Sequence, residues 1–146
     1  MDREQQVEKL LEQPYYVIDY LPRQVQKDEG YFFFEVEKYF LNINEINRIS
    51  EKFIHIILKT LCYFEFSVYA EKWLNTVKPE ELASVIKKVV TKQKGFIHIL
   101  LSQDNVLLEI NGGDLHISVF NCNEKIESIM KALAIFEGLF WWKIRN

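Results

Sequence analysis

Residues 96–120 read FIHILLSQDNVLLEINGGDLHISVF. Three β-prone segments lie within this stretch, at 96–101, 106–110 and 115–120, and each is rich in Ile, Leu and Val. Gln103-Asp104 and Gly112-Gly113 separate the segments, and a Gly-Gly pair suits the positive φ angles of tight hairpin turns. The stretch therefore predicts a three-stranded antiparallel meander.

The aliphatic residues of the meander predict its register. If both turns are two-residue loops, opposed residues in each hairpin have a constant sum of residue numbers. The first hairpin then pairs Ile97 with Ile110, and the second pairs Ile110 with Leu115 and Leu108 with Ile117. A one-residue slip would turn the aliphatic side chains to the opposite face, which supports this register. The positions that share the inner face are Ile97, Ile99, Leu101, Val106, Leu108, Ile110, Leu115, Ile117 and Val119.

The same register predicts a row of titratable residues on the outer face. His98 falls opposite Glu109, and Glu109 falls opposite His116, with neighbouring Cβ atoms about 5 Å apart. Two histidines and one carboxylate can bind a divalent metal or act as a general acid and base. The alternative is a polar ladder on a half-exposed sheet. We favour the ladder, because the two outer residues of a flat row lie roughly 10 Å apart, and no cofactor is implied.

Apolar residues on the outer face form a second candidate site. Phe96, Leu100, Leu107 and Phe120, with Trp142, would make a contiguous patch if they were left uncovered. Monomers seldom expose such patches without a use, so an open patch predicts a homodimer face or a partner-protein site. The helix predicted at residues 2–12, or the aromatic segment 31–41, could instead cover it. Both alternatives remain open at this stage.

The rest of the chain alternates predicted helices with short strands. Residues 31–41 are undecided, because their aromatic residues fit both a strand and a helix period. The sequence predicts an α+β fold in a single domain of residues 1–146, whose antiparallel sheet contains the meander and a C-terminal strand and packs against three or four helices. The predicted helices cover 2–12, 43–64, a segment beginning at Pro79 and a segment from Asn121 to Phe136, which Gly138 ends; the predicted strands outside the meander cover 15–20, 65–70 and 139–144.

Charge, cysteines and hydropathy exclude several classes of protein. The chain has 18 basic and 21 acidic residues, whereas a nucleic-acid-binding protein usually has a basic surplus. Its first residues are polar, unlike a signal peptide, and no apolar run approaches the roughly 20 residues that a membrane span needs. Cys62 and Cys122 lack metal-ligand spacing and are expected to be reduced, mostly buried thiols, with a disulfide between them as the alternative. We expect a cytoplasmic protein that binds neither nucleic acid nor membranes.

Two segments near the ends of the chain resemble known proteins. Residues 16–22, YVIDYLP, and residues 137–143, EGLFWWK, are similar to segments of small uncharacterised bacterial proteins. This resemblance implies a bacterial cytosolic protein. It carries over no activity and no functional residue.

The function predicted from these observations is protein interaction. Aromatic residues make up 14% of the chain, large aromatics are favoured at interfaces, and no diagnostic catalytic motif is present. We expect a non-enzymatic module that binds another protein or itself, of which a small acidic inhibitor or immunity-type protein is one form. The alternative is a small metal-dependent or acid–base enzyme built on His98, Glu109 and His116.

Overall fold

The computed structural model describes residues 2–144. Its elements in chain order are α1 Arg3–Leu10, β1 Tyr15–Asp19, α2 Phe33–Phe40, α3 Ile43–Thr60, β2 Ser67–Ala70, β3 Lys72–Trp73, α4 Pro79–Lys92, β4 Phe96–Leu101, β5 Val106–Asn111, β6 His116–Phe120, α5 Glu124–Phe136 and β7 Phe140–Lys143. The strands form one antiparallel sheet with the order β3-β2-β4-β5-β6-β1-β7.

This architecture confirms the predicted α+β class. The meander is β4–β5–β6, and the C-terminal strand β7 pairs with β1 at one edge of the sheet. Residues 2–144 contain five helices rather than the three or four predicted. The additional helix is α2, which lies in the segment that sequence patterns left undecided.

The main core lies between the inner face of the sheet and α3, α4 and α5. The apolar stripe of α3 is fully or almost fully buried there, as its period predicts. Asn42 begins α3 by accepting hydrogen bonds from the amides of Asn44 and Glu45, and Pro79 occupies the first turn of α4. The buried α3 side chains include Ile46, Ile49, Phe53, Ile56 and Ile57.

The last helix begins later than predicted. Asn121 has a φ of 60°, which no helix start adopts, and the N-cap is Asn123, whose Oδ1 accepts a hydrogen bond from the Ile126 amide at 2.9 Å. The predicted end is confirmed, since Gly138 has a φ of 77° and its amide donates to the Ile135 carbonyl.

The second hairpin has a longer turn than predicted, and its register differs by two residues. The amide of Gly112 donates to the Gly95 carbonyl at 2.8 Å, which extends the β4–β5 ladder by one rung. Gly112 therefore continues the β4–β5 ladder, and residues 112–115 form the turn between β5 and β6. Ile110 pairs with Ile117 rather than Leu115, and Leu108 pairs with Val119 rather than Ile117. The first hairpin has the predicted register.

Because the difference is two residues, every aliphatic side chain stays on its predicted face. Leu108, Ile110, Ile117 and Val119 are each 1% exposed or less. Opposed partners on the outer face change, however: Glu109 lies opposite Ser118 instead of His116. The predicted pairing of Glu109 with His116 is wrong.

The outer face of the sheet is partly covered by α1. Val7 and Leu10 pack on Leu100, Leu107 and Phe120, and these five residues form a second, smaller core. The Gln6 side chain fixes the helix to the first hairpin by donating to the Ser102 carbonyl at 3.1 Å. The structure therefore shows the alternative in which the helix near the N-terminus covers the outer patch.

The cysteine prediction holds only in part. The two thiols are not joined to each other, and Cys122 is half-buried, but Cys62 is exposed. Burial, with a smaller contribution from the Glu127 carboxylate, raises the pKa of the Cys122 thiol to about 12. Among residues 2–144, no helix combines the length and the apolar character that crossing a membrane requires.

Candidate functional site

His98 and Glu109 form a close pair on the outer face of the sheet. They lie directly opposite each other on β4 and β5, and His98 Nε2 donates to Glu109 Oε2 at 2.7 Å. The other carboxylate oxygen, Oε1, accepts a hydrogen bond from Asn111 Nδ2 at 2.9 Å. His98 is 9% exposed, so the pair lies largely out of water. Sequence reasoning predicted the pair but not the part played by Asn111.

Hydrogen bonds keep the Glu109 carboxyl ionised. Burial by itself would raise its pKa, but the hydrogen bonds from His98 and Asn111 and the charges of His98 and His116 outweigh burial. The pKa of Glu109 therefore lies below its usual value. An ionised carboxylate only accepts hydrogen bonds, which fixes the Nε2 proton on His98. The other ring nitrogen, Nδ1, has no hydrogen-bond partner among residues 2–144.

His116 lies apart from this pair. It pairs with Asp19 across β6 and β1, and its Nε2 is 4.0 Å from Asp114 Oδ2. Burial raises the pKa of the Asp19 carboxyl, although a hydrogen bond from the Tyr20 amide and the charge of His116 oppose this effect. The structure thus joins His98 to Glu109 but does not bring His116 into line with them. In the described part of the chain, no group of three His, Cys, Asp or Glu side chains is arranged to hold a metal ion.

The predicted apolar patch is not an open surface. Leu100 and Leu107 are fully buried and Phe120 is 6% exposed, all beneath α1. Phe96 is 42% exposed and stacks on Tyr69 with ring centroids 6.0 Å apart. Trp142 is half-buried, and its indole Nε1 donates to the Leu21 carbonyl at 2.9 Å. Of the two alternatives, the structure shows the covered one at Leu100, Leu107 and Phe120, so these positions do not form a contiguous exposed patch.

The exposed apolar side chains concentrate elsewhere, around α2. No residue of α2 is buried. Tyr31 is 95% exposed and Phe32 70%, and three more large apolar residues follow within the next eleven positions. The segment has no side-chain N-cap, because Phe32 occupies that position. We call this set the aromatic surface; its members are Tyr31, Phe32, Phe34, Tyr39 and Ile43.

A groove runs beside the aromatic surface, between residues 21–30 and α2. Two adjoining hollows of about 520 and 460 Å³ share Leu21, Val25 and Phe33 in their walls. Gly30 has a φ of 92°, and a Cβ atom at this position would lie 2.7 Å from Val25 Cγ1, so only glycine lets the loop close on itself. Volumes of this size are typical of sites that accept a small molecule or a few side chains.

A salt bridge holds the loop that forms the groove. Arg23 Nη2 donates to Glu29 Oε2 at 2.9 Å, and Nη1 donates to the other carboxylate oxygen. This paired contact with the guanidinium lowers the pKa of Glu29 to about 2. Glu29 Oε1 also accepts a hydrogen bond from the Gln26 amide at 2.9 Å. One carboxylate therefore bonds to both sides of the loop.

Sequence patterns missed the aromatic surface because its residues fit two periods equally well. A usable signal was present, however. Residues 31–34 read YFFF, and a helix that begins there has no apolar stripe long enough to bury all four rings. Aromatic excess without a matching buried face is the pattern expected of an interaction surface.

Comparison of the chain with protein-family models, with curated proteins and with solved structures found no match.

Proposed function

We propose that this chain is a non-enzymatic protein-interaction module and that the aromatic surface is where it binds. The observation that carries the proposal is the exposure of five large apolar residues within residues 31–43, each more than half exposed. Folded monomers rarely leave such a patch in water unless it contacts another molecule. The groove beside it supplies a recess into which a side chain of the bound protein can fit.

A comparison with Phe136, the most exposed aromatic residue outside this segment, supports the choice of this surface. Phe136, at the end of α5, is 77% exposed, but the Lys59 ammonium lies 5.1 Å from its ring centroid. The ring of Phe136 therefore already has a cation–π contact within the chain. The aromatic surface has no comparable cation over its rings among residues 2–144.

We further propose that the module works in the cytoplasm. Cys62 is a free and exposed thiol, which a reducing compartment preserves. The alternative of an acid–base enzyme stays a prediction. The grooves beside α2 are lined by residues of the 19–36 segment and β7 and do not include His98.

A photo-crosslinking experiment tests the proposed surface. Phe34 is replaced by p-benzoylphenylalanine, and the protein is irradiated in the cells that express it. We expect a covalent adduct to a protein, because Phe34 is 67% exposed at the centre of the aromatic surface. The matched control carries the same amino acid at Phe136. Equal adduct yields at the two positions, or no adduct at Phe34, would overturn the proposal.

A further inference from the structure

We infer that the protein bound at the aromatic surface is a second copy of this chain, with the two α2 helices packed antiparallel across a two-fold axis. This inference rests on the proposed function, since it names the partner of the same surface. It is drawn from the order of charged and aromatic residues along α2.

The exposed face of α2 has a regular order. Tyr31, Phe34, Glu35, Lys38 and Tyr39 are all exposed, and their spacing places them on one side of the helix and its leading turn. Among residues 2–144, neither Glu35 nor Lys38 forms a salt bridge. An acidic and a basic side chain therefore stand unpaired between aromatic rings.

This order is self-complementary under a two-fold rotation. When two α2 helices lie antiparallel with the axis midway between Glu35 and Lys38, each Glu35 faces Lys38 of the second copy. Phe34 and Tyr39 lie on opposite flanks of this face, about 140° apart around the helix, so the same operation brings the two Phe34 rings together on one flank and the two Tyr39 rings together on the other. A closed dimer requires a surface that is complementary to itself, and this arrangement meets that requirement for both charge and apolar contact.

The available area sets the strength of the contact. An aromatic side chain offers about 150–250 Å², so the three aromatic residues of this face, Tyr31, Phe34 and Tyr39, offer roughly 400 Å² per copy at their observed exposures. Specific stable interfaces bury about 600–1,000 Å² per partner. The aromatic area lies below that range, which fits a weak dimer that dissociates on dilution with a dissociation constant on the order of micromolar or higher.

Charge reversal of single residues tests the dimer. The oligomeric state is measured by sedimentation equilibrium over a wide range of protein concentration. E35K places a positive charge opposite Lys38 of the second copy, and K38E places a negative charge opposite Glu35. Because like charges repel, each variant is expected to dimerise about tenfold more weakly than the original chain. E80K, which reverses an exposed charge on α4, is the matched control and is expected to change nothing.

Recombining the reversed charges is the stricter test. An equimolar mixture of E35K and K38E is expected to form a heterodimer, because each lysine then faces a glutamate, and the double variant E35K/K38E is expected to recover the original affinity. The inference is overturned if the original chain is monomeric at every concentration, or if E35K and K38E each dimerise as tightly as E80K. It is also overturned if the mixture fails to associate. A crosslink from Phe34 to a different protein would reject self-association while the proposed function stands.

Discussion

At the scale of single residues, Glu109 shows how the outer face of the sheet is stabilised. Both of its carboxylate oxygens are used, one by His98 and the other by Asn111. A carboxylate that is half-buried and hydrogen-bonded at both oxygens costs much less to bury than an unpaired one. The pair therefore has a structural role within the fold.

Glu109→Gln is expected to destabilise the protein by about 1 to 2 kcal/mol at neutral pH, because it replaces charge-assisted hydrogen bonds with neutral ones. The depressed pKa of Glu109 adds a pH dependence. Its contribution is complete above the pKa of the unfolded chain, about 4.3, and is lost as the pH falls through the lower folded value. Urea unfolding from neutral to acid pH should therefore show the two proteins converging at acid pH. A constant difference at all pH values would contradict this assignment.

Glu80→Gln is the control for that measurement. Glu80 is exposed in the first turn of α4 and has no salt bridge among residues 2–144. Its substitution is expected to change the free energy of unfolding by no more than about 0.5 kcal/mol.

At the scale of elements, the two hairpins show what sequence patterns can and cannot predict. The alternation of aliphatic residues predicts which face of each strand is buried, and it does so correctly for β4, β5 and β6. It cannot distinguish registers that differ by two residues, because both keep the same face inward. In the observed register, the Gly112 amide donates to the Gly95 carbonyl and so continues the β4–β5 ladder. That contact joins two loops, and no local pattern reveals it.

The helices show a similar limit. The stripe of α3 is long and one-sided, so the sequence predicts it well. No residue of helix α2 is fully buried and only part of it, such as Phe40, packs against the core, so burial leaves little mark on its sequence. Its conformation could not be predicted from residues 31–41 alone. The covering of Leu100 and Leu107 by α1 depends on a contact between segments about ninety residues apart, for which the sequence offers only two candidates.

The turn makes a prediction that separates two adjacent glycines. A Cβ atom at Gly112 would lie 2.1 Å from the backbone nitrogen of Lys94, whereas at Gly113 the nearest atom is 3.8 Å away. Gly113→Ala meets only the strain of a φ of 93°, about 1 to 3 kcal/mol. Gly112→Ala must displace a strand end and is expected to cost more than Gly113→Ala. Denaturant midpoints of the two variants decide this, and the reverse order would show that the contact with Lys94 is not rigid.

At the scale of the whole molecule, the two faces of the sheet are covered very unequally. Three helices and most of the core lie on the inner face, while α1 covers part of the outer face with two buried side chains, Val7 and Leu10. The similarity of the chain ends to small bacterial proteins stays a prediction, as does the cytoplasmic location.

Leu10→Ala tests how firmly α1 is attached. Leu10 is 2% exposed between α1 and the sheet, and removing its side chain is expected to cost about 2 to 4 kcal/mol. Hydrogen exchange in α1 should accelerate more than in α3, because few apolar contacts hold the helix in place. Ile43→Ala is the control, since Ile43 is 75% exposed and its loss should leave stability within about 0.5 kcal/mol. If exchange in α1 and α3 accelerated equally, α1 would belong to the same cooperative unit as the core.

The two-residue offset of the second hairpin changes which polar residues are neighbours on the outer face, but it does not change which aliphatic residues form the core. Both alignments bury the same aliphatic side chains, so the hydrophobic effect does not determine which polar residue lies opposite Glu109. The observed alignment is the one in which the Gly112 amide donates to the Gly95 carbonyl. Natural variation or protein engineering at this bend could thus exchange Ser118 for His116 as the neighbour of the carboxylate while the interior is left intact.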